Sequence, residues 1–500
     1  MAEKSNMGYS ADLDVVIIGA GFAGLAAADR LNRINGERAS NGLAPLRYVI
    51  LEGSARAGGR TKTEHVDDIY LDFGGQYLAP PSLAPSIDGY DQAAVHEMVA
   101  RFGVQIFDTY LPDDKDHVYQ GADGRTLAFR GNFPGEGDPA VQQLLLNVEG
   151  LVKQMRDYVG RPWEFPGADA LDAFSVSDWL DREVPEPTMR ELFDIAVRSA
   201  FSVEPDQCSL LHFLHYAASC GSFAAFENVK GGGDAIRFRF GTYDLIERLL
   251  SGAGKDRVFF KQKVVAIQQT SSHVEVNAEG PDGARTWLAR RVIVAMSPSA
   301  AARVQFYPAL SEGRQALTAG MPMAHTIKGF AIFQTKWWRE KFSGYVLSAL
   351  GPVDWVMDNT WVDQEGKDGR PCMMTFIVGQ AAIDWGNSNK TPGERQEKVL
   401  NQLAALFDVP RPQIDRELIR YVDFDWGKDP WGKGCPAGCV GPGVLTQRLS
   451  NGQRVGEALY RAEGLIHWAG SETGLRWMGG YMNGAIDSGI RVAKEVAALL

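Results

Sequence analysis

The sequence predicts an α/β fold in which a dinucleotide-binding domain, built on a parallel sheet, is interleaved with an α+β substrate domain. Two observations support this. A glycine-rich turn follows a buried strand near the start of the chain, and strand-rich sequence returns twice after long insertions of different character. With 500 residues, 45% of them hydrophobic, the chain is long enough for two or three domains.

The first element is an apolar run over residues 15–18, followed by Gly19, Gly21 and Gly24 and then an Ala/Leu-rich helix. Such a turn presents the unpaired N–H groups and positive dipole end of a helix to a pyrophosphate. Gly19 permits the tight turn, Gly21 lets the backbone approach the phosphates, and Gly24 lets helix and strand pack closely. Strand, turn and helix together predict a dinucleotide site.

The second strand, over residues 47–51, ends at Glu52, whose carboxylate is placed to accept ribose hydroxyls. Glu52 lies 28 residues beyond Gly24 (52 − 24), more than the usual ~20. We attribute the difference to an inserted polar loop over residues 35–45.

Two further glycine pairs suit the same ligand. Residues 56–61 combine glycines with arginines, a backbone concavity with cationic cover for the far side of a pyrophosphate. The turn in residues 71–77 lets backbone approach a flat ring. The predicted contacts are Arg56, Gly58, Gly59, Arg60, Gly74, Gly75 and Gln76.

Composition excludes several classes of function. A net charge of −11, without a basic block, argues against a nucleic-acid partner. The five cysteines fit neither a disulfide framework nor a zinc site, and His212 and His215 lack further ligands, so we predict no metal. The polar residues 1–13 do not resemble a secretory signal, and no run of 18 apolar residues appears. We expect an intracellular, soluble protein without a membrane anchor, cytoplasmic by default.

The rest of the chain changes in periodicity and composition along its length. Helical periodicity dominates residues 81–229, strands return over 257–295, a mixed stretch rich in tryptophan follows, and a strand and a helix end the sequence. We predict a discontinuous nucleotide-binding domain over 1–80, 230–300 and 440–500. The substrate domain would comprise 81–229, largely helical, and 301–439.

The segments "ILEGSARAGGRT", "LDFGGQY", "IHWAGSET" and "GGYMNGAIDSG" resemble the flavin-containing amine oxidases, the group of monoamine and polyamine oxidases. The resemblance implies FAD bound by a Rossmann-type domain of the p-hydroxybenzoate hydroxylase-like (GR2) kind. It adds cofactor contacts at Ala23, Val264 (through its backbone), Cys435, Gly470, Glu472, Gly480, Tyr481 and Met482.

Catalytic roles also come from this resemblance. Lys328, in "HTIKGF", matches the lysine that holds a water beside flavin N5, and Tyr481 matches one wall of an aromatic cage that orients the amine. Cys435 matches the cysteine that carries flavin as a thioether in animal monoamine oxidases. Pro436 departs from the family, which has the second cage tyrosine there. We therefore expect non-covalent FAD, with covalent attachment the less favoured alternative, and a cage lacking one wall unless Trp431 or another ring replaces it.

The same resemblance lines the substrate cavity with Tyr77, Phe226, Asp234, Trp355, Phe376 and Tyr481. Asp234 falls near a polar gating position, where it would meet a cationic group of the substrate or face solvent. Solvent is the slightly preferred interpretation.

The predicted function is oxidative deamination of a primary alkyl or arylalkyl amine, including bulky ones, to an aldehyde or ketone, with O2 reduced to H2O2. The partners are then a small amine and O2, in a monomer or homodimer. Polyamine oxidation remains an alternative. L-Amino-acid oxidation is disfavoured because "GGQY" lacks the arginine that would bind a carboxylate. A nicotinamide dehydrogenase or a non-catalytic scaffold leaves the later motifs unexplained.

Overall fold

The computed structural model describes residues 13–81, 89–362, 367–388 and 391–500. Residues 1–12, which hold most of the segment expected not to be a secretory signal, lie outside the described residues.

The strands, in chain order, are β1 (Leu13–Ile18), β2 (Tyr48–Leu51), β3 (Thr63–Val66), β4 (Ile69–Asp72), β5 (Tyr77–Leu78), β6 (Ile106–Asp108), β7 (Asp116–Gln120), β8 (Thr126–Phe129), β9 (Ile236–Phe238), β10 (Val258–Phe259), β11 (Lys263–Gln269), β12 (Val274–Gly280), β13 (Gly283–Val294), β14 (Gln305–Tyr307), β15 (Thr326–Phe333), β16 (Phe342–Ser348), β17 (Trp355–Asp358), β18 (Cys372–Val378), β19 (Leu418–Asp425) and β20 (Ile466–Trp468).

The α-helices are α1 (Phe22–Ser40), α2 (Ala93–Phe102), α3 (Pro139–Met155), α4 (Ala168–Ala173), α5 (Val176–Glu183), α6 (Pro187–Phe201), α7 (Leu210–Ser219), α8 (Phe223–Glu227), α9 (Tyr243–Ala253), α10 (Pro298–Ala301), α11 (Glu312–Ala319), α12 (Gly379–Asn387), α13 (Pro392–Leu406), α14 (Arg411–Glu417) and α15 (Met482–Ala498).

The first sheet has the order β10-β2-β1-β13-β12-β11-β14, with β20 also paired to β13. β1 lies between β2 and β13 and is parallel to both. Residues 15–18 of β1 are almost completely buried, which explains the unbroken apolar run, because parallel strands are covered on both faces. β14 pairs with β11 beyond the predicted boundary at residue 300; the domain boundaries themselves stay a prediction.

The connection after β1 differs from the prediction. The inserted loop proposed for residues 35–45 is wrong, because α1 continues to Ser40 and only the residues after it form a loop. A helix of 19 residues therefore explains most of the long spacing between Gly24 and Glu52. The prediction failed because the last turns of α1 expose polar residues, and this composition is also typical of a loop.

Glycines allow α1 to pack closely against the turn that precedes it and against α15. A Cβ on Gly24 would lie 1.9 Å from the Gly19 carbonyl oxygen, and a Cβ on Gly489 of α15 would lie 2.1 Å from the Ala23 carbonyl oxygen. Neither site has room for a methyl group. The two helices consequently approach each other and place their N-termini at one end of the first sheet.

The second sheet has the order β19-β15-β18-β17-β16-β7-β8. β7 and β8 come from the stretch predicted to be largely helical, and β7 pairs in parallel with β16, more than 200 residues later in the chain. The helices of the same stretch, with parts of this sheet and of the C-terminal loops, bury one large core that includes Phe213, Phe330 and Trp477. Among the described residues, no helix combines the length and apolarity needed to cross a membrane.

Candidate active site

A cavity of about 1500 Å³ runs from the N-terminus of α1 to the inner face of the second sheet. Nearly all predicted site residues line it: Gly19, Gly21, Ala23, Glu52, Arg56, Gly58, Gly59, Arg60, Gly74, Gly75, Gln76, Tyr77, Phe226, Asp234, Val264, Lys328, Trp355, Phe376, Cys435, Gly470, Gly480, Tyr481 and Met482. Gly24 and Glu472 do not line it. Gly24 acts in packing, and Glu472 lies behind the cavity wall.

The cavity begins at the glycine turn after β1. Gly19 has φ +104°, a region that L side chains rarely adopt, and a Cβ there would lie 2.6 Å from the Ala295 carbonyl oxygen. Gly21 is different, because a Cβ there would meet nothing closer than the Gly58 carbonyl oxygen at 3.8 Å. A side chain at Gly21 would not clash with the protein, as one at Gly19 would. It would instead fill the open space in front of α1.

The groups around this space suit a dinucleotide. Neither α1 nor α15 has a side-chain cap at its N-terminus, so the first N–H groups of both helices are available to an anionic ligand. Glu52 is fixed by two backbone N–H groups, those of Ala20 and Ser54, each at 2.8 Å. An acid held rigidly beside the helix N-terminus is the arrangement that binds ribose hydroxyls.

A buried ion pair joins the distant motifs. Arg60 donates to both carboxylate oxygens of Glu472, at 2.5 and 3.0 Å, and to the Pro436 carbonyl oxygen at 2.7 Å. Burial would raise the pKa of Glu472, but the charge and hydrogen bonds of Arg60 overcome it and hold this pKa below its ordinary value. The pair thereby connects two residues 412 positions apart in the sequence, Arg60 on the cavity wall and Glu472 behind it.

We expect Arg60→Met to destabilise the protein by about 3–5 kcal/mol, because Glu472 would remain buried without its partner. Urea unfolding of the purified variant measures the change. Arg130→Met, which removes a surface ion pair with Asp116, is the control and should change little. Equal unfolding midpoints for Arg60→Met and the control would contradict this account of the pair.

Lys328 lies on β15, facing the cavity, and is only 4% exposed. Its Nζ donates to Gln76 Oε1 at 2.6 Å and to the Gly74 carbonyl oxygen at 3.2 Å. Burial lowers the pKa of Lys328 to about 8, even though Asp72 opposes the shift. The Lys328 amine is therefore neutral in a larger fraction of molecules near pH 8 than the amine of an exposed lysine.

Two groups of aromatic rings line the substrate end. Tyr77, Trp355 and Phe376 form one, with ring centroids 5.8 and 6.0 Å apart in that order. Tyr481, Tyr216 and Phe226 form the other, with centroids 5.9 and 5.7 Å apart. These rings give the part of the cavity around Lys328 a largely aromatic surface, interrupted by tyrosine hydroxyl groups and by the Asp234 carboxylate.

Trp431 packs against the cofactor-motif side of the cavity rather than against Tyr481. The Trp431 ring covers Gly53, where a Cβ would lie 2.2 Å from it, next to Glu52. Pro436 packs against Gly480 instead, 3.1 Å from where a Cβ would be. The rings in contact with Tyr481 are Tyr216 and Trp477, the latter at 4.8 Å and perpendicular.

Cys435 also lines the cavity. Its N–H donates to the Ala324 carbonyl oxygen at 3.0 Å, and its own carbonyl oxygen accepts a hydrogen bond from Thr326 at 2.6 Å. Burial raises the pKa of the Cys435 thiol to about 11. The group is therefore protonated at neutral pH and is a poor nucleophile.

Asp234 lines the cavity and is partly exposed, so the slightly preferred interpretation that it faces solvent stays a prediction. Its carboxylate faces the cavity near Tyr481, and burial raises its pKa to about 7 despite the charge of Lys328. The turn after α8 folds inward, a path that no local sequence pattern indicated.

Among the cavity residues that sequence reasoning missed, three carry ionisable side chains near Tyr481 and Lys328: Glu227, Tyr216 and Tyr345. Tyr216 looked like one of many apolar positions on a helix, and Tyr345 lies on a strand that received no assignment. Glu227 directly follows Phe226, so a buried acid beside a predicted cavity residue was the one available signal.

His212 and His215 are both buried in α7. His215 Nε2 accepts the Gly160 N–H at 3.1 Å, and burial lowers the pKa of His215 to about 3, so this histidine is neutral. Within the described ranges, no group of three His, Cys, Asp or Glu side chains could hold a metal ion.

The fold and the site define a class: an α/β protein with a dinucleotide-type turn at one end of a large cavity and aromatic rings at the other. The model of the family "Flavin containing amine oxidoreductase" matches residues 22–497. A protein of Mycobacterium tuberculosis named as a flavin-containing monoamine oxidase is 30% identical over 493 residues, covering 98% of this chain and 97% of its own.

Solved structures of two amine oxidases are similar to this chain over nearly its whole length. Cyclohexylamine oxidase from Brevibacterium oxydans IH-35A has a TM-score of 0.82 at 27% identity, covering 98% of this chain and 99% of that one. Wild-type putrescine oxidase bound to putrescine has a TM-score of 0.83 at 26% identity, covering 98% and 100%. The chain belongs to the flavin-containing amine oxidoreductase family. It is an FAD-dependent amine oxidase.

Proposed function

We propose that the enzyme deaminates a primary alkyl or arylalkyl amine, including bulky ones. Amine, O2 and water give an aldehyde or ketone, ammonia and H2O2. The observation that carries the proposal is the cavity region lined by aromatic rings that contains both Lys328 and Tyr481. Bound FAD would accept the hydrogen and electron pair lost by the α carbon and pass the electrons to O2.

The residues around this space would prepare the amine. Rings of Tyr481, Trp355 and Phe376 exclude water, and a low dielectric favours the neutral amine that the reaction requires. Lys328 would hold or release a proton at Nζ beside the reacting atoms. The uncapped N-terminus of α15, immediately after Tyr481, supplies a positive potential where negative charge develops.

An amino-acid substrate fits less well. The arginines that line the cavity, Arg56, Arg60, Arg156 and Arg303, are each hydrogen-bonded to protein carbonyl or carboxylate groups in the described structure. Arg237, which is buried nearby, does not line the cavity. A substrate carboxylate would therefore compete with these protein acceptors for a guanidinium group.

A peroxide-coupled assay with primary amines, matched N-methylated amines and L-amino acids tests the proposal. We expect primary amines to show the highest kcat/KM. Turnover restricted to amino acids would contradict it.

We further propose that the FAD is held without a covalent bond. The thiol of Cys435, with its raised pKa, would not form the thiolate that attacks the flavin ring. Acid precipitation should release the yellow chromophore into the supernatant, from wild type and Cys435→Ser alike. Colour retained in the wild-type pellet and lost from the Cys435→Ser pellet would identify a thioether instead.

A further inference from the structure

The amine of Lys328 belongs to a series of three buried polar side chains, the Lys–Gln–Asn network (Lys328, Gln76 and Asn359). Lys328 Nζ donates to Gln76 Oε1 at 2.6 Å, and Gln76 Nε2 donates to Asn359 Oδ1 at 2.7 Å. Each of the three residues is at most 5% exposed. Lys328 and Gln76 line the cavity, whereas Asn359 does not. The network therefore connects the cavity to a residue outside it.

The chemistry of the three groups fixes the direction of these hydrogen bonds. A protonated lysine amine only donates, so the Gln76 atom that faces it must be the amide oxygen. The amide nitrogen of Gln76 then faces Asn359, and the Asn359 atom that accepts from it must also be an oxygen. Asn359 thereby selects one of the two amide orientations of Gln76. In the other orientation, the NH2 group of Gln76 would point at the Lys328 ammonium.

The Asn359 side chain is held in place from outside the cavity. Asn359 directly follows β17, and its N–H donates to the Cys372 carbonyl oxygen of β18 at 2.8 Å. The preceding residue, Asp358, accepts hydrogen bonds from Trp338 Nε1 at 2.8 Å and from Arg339 Nε at 2.6 Å. Asn359 Nδ2 lies 4.0 Å from the Cys372 sulfur. The position of Oδ1 is therefore set by the second sheet and the turn beside it.

This arrangement leaves one N–H of the Lys328 ammonium for the cavity. An ammonium group has three N–H bonds. Gln76 Oε1 and the Gly74 carbonyl oxygen accept from two of them, at 2.6 and 3.2 Å. In the described part of the chain, the Lys328 amine has no further hydrogen-bond partner, and Lys328 lines the cavity. The protein thus fixes the amine from one side and leaves its other side for the reacting atoms.

We propose that Asn359 is a positioning residue for amine oxidation, which holds Gln76 in one amide orientation and thereby fixes the Lys328 amine at the reaction site. The inference rests on the proposed role of Lys328 and extends it to a residue that does not touch the cavity. Without Asn359, the Gln76 amide would alternate between an orientation that accepts from Lys328 and one that repels it. Lys328 would then lose its fixed position and part of the stabilisation of its charged form.

The first test is the limiting rate of anaerobic flavin reduction at saturating primary amine, measured with FAD-loaded variants from about pH 6 to about pH 10. We expect Asn359→Leu to lower this rate by about tenfold and to move the midpoint of its pH dependence down by about one unit. The sign follows because loss of an acceptor disfavours the protonated amine, whose pKa in the wild type is about 8.

Two further variants sharpen this test. Asn359→Asp keeps an oxygen for the Gln76 amide and can add negative charge, so its midpoint should lie at or above the wild-type value. Asn277→Leu is the matched control. It removes the acceptor of the Thr286 hydroxyl, which lies 2.8 Å away between β12 and β13 and outside the cavity, and it should leave the rate and the midpoint unchanged.

A double-mutant cycle shows whether Asn359 acts through Gln76. A Gln76→Met enzyme has no amide to orient, so adding Asn359→Leu to it should change the reduction rate by less than about twofold. A purely structural role of Asn359 predicts instead the same loss with and without the Gln76 amide.

Nuclear magnetic resonance of the apoprotein provides a readout that does not depend on turnover. With lysine isotopically labelled at Cε, the Lys328 signal is the one that is absent from Lys328→Met. Its pH titration reports the pKa of this amine directly. The titration should move to lower pH in Asn359→Leu and stay in place in Asn277→Leu.

An unchanged reduction rate and titration in Asn359→Leu, or equal losses on the two sides of the cycle, would overturn the positioning role. Failure of the proposed function looks different, because Lys328→Met would then keep its activity or no primary amine would reduce the flavin.

Discussion

Replacing Lys328 by methionine should lower kcat/KM for every amine substrate by about a hundredfold to ten-thousandfold, the range of a lost acid–base group. Methionine keeps the length of the side chain and removes its proton-exchanging amine. Nζ, with its pKa of about 8, is the buried cation bound to Gln76 and to the Gly74 carbonyl oxygen at the centre of the cavity. Steady-state kinetics with peroxide detection measure the loss.

The variant should still bind FAD, because Lys328 is not among the groups around α1 that we expect to hold the dinucleotide. Lys255→Met, at an exposed position, is the matched control and should behave like wild type. A Lys328→Met enzyme with near-normal kcat/KM would show that this amine has no part in the chemistry. Loss of the flavin together with activity would indicate a structural role.

Gly21→Val should fold normally and lose FAD affinity by about tenfold to a hundredfold, as expected for 1–3 kcal/mol of steric conflict. The structure has open space at this position, with the nearest atom 3.8 Å from an added Cβ, so the apoprotein tolerates the side chain. The same space is where the backbone must approach the pyrophosphate. Equilibrium titration of apoprotein with FAD, followed by flavin fluorescence, measures the change.

Gly24→Ala is the matched comparison within the same motif. Its Cβ would lie 1.9 Å from the Gly19 carbonyl oxygen, so the helix must shift from the strand and the fold itself loses about 1–3 kcal/mol. The two measurements should therefore differ between the variants. Gly21→Val should weaken FAD binding with little change in the free energy of unfolding, whereas Gly24→Ala should lower the free energy of unfolding. If Gly21→Val destabilised the apoprotein as much as Gly24→Ala, the assignment of Gly21 to the cofactor would be wrong.

The nucleotide-binding half of the fold was predictable because backbone geometry restricts its sequence. Glycines at Gly19, Gly24 and Gly58 are required by positive φ or by contacts shorter than a methyl group allows. These constraints are visible in the sequence as glycines at fixed spacing after a strand. The one local error, the length of α1, arose because a solvent-exposed helix end has the composition of a loop.

The substrate half was less predictable because its cavity is made by contacts between distant segments. β7 pairs with β16 across more than 200 residues, and Tyr216, Glu227 and Tyr345 come from three separate elements. Nothing in the local sequence of any of them specifies the others. Trp431 is a second example. It is close to Pro436 in the sequence, but the loop between them places its ring over Gly53, and local sequence does not specify that path.

Anaerobic mixing of the purified enzyme with a primary amine tests the central claim most directly. The account predicts that the visible absorbance of bound flavin bleaches on mixing, and that the absorbance returns with formation of peroxide when air is admitted. A protein that remains colourless after incubation with FAD would contradict the account, as would a flavin that no amine reduces.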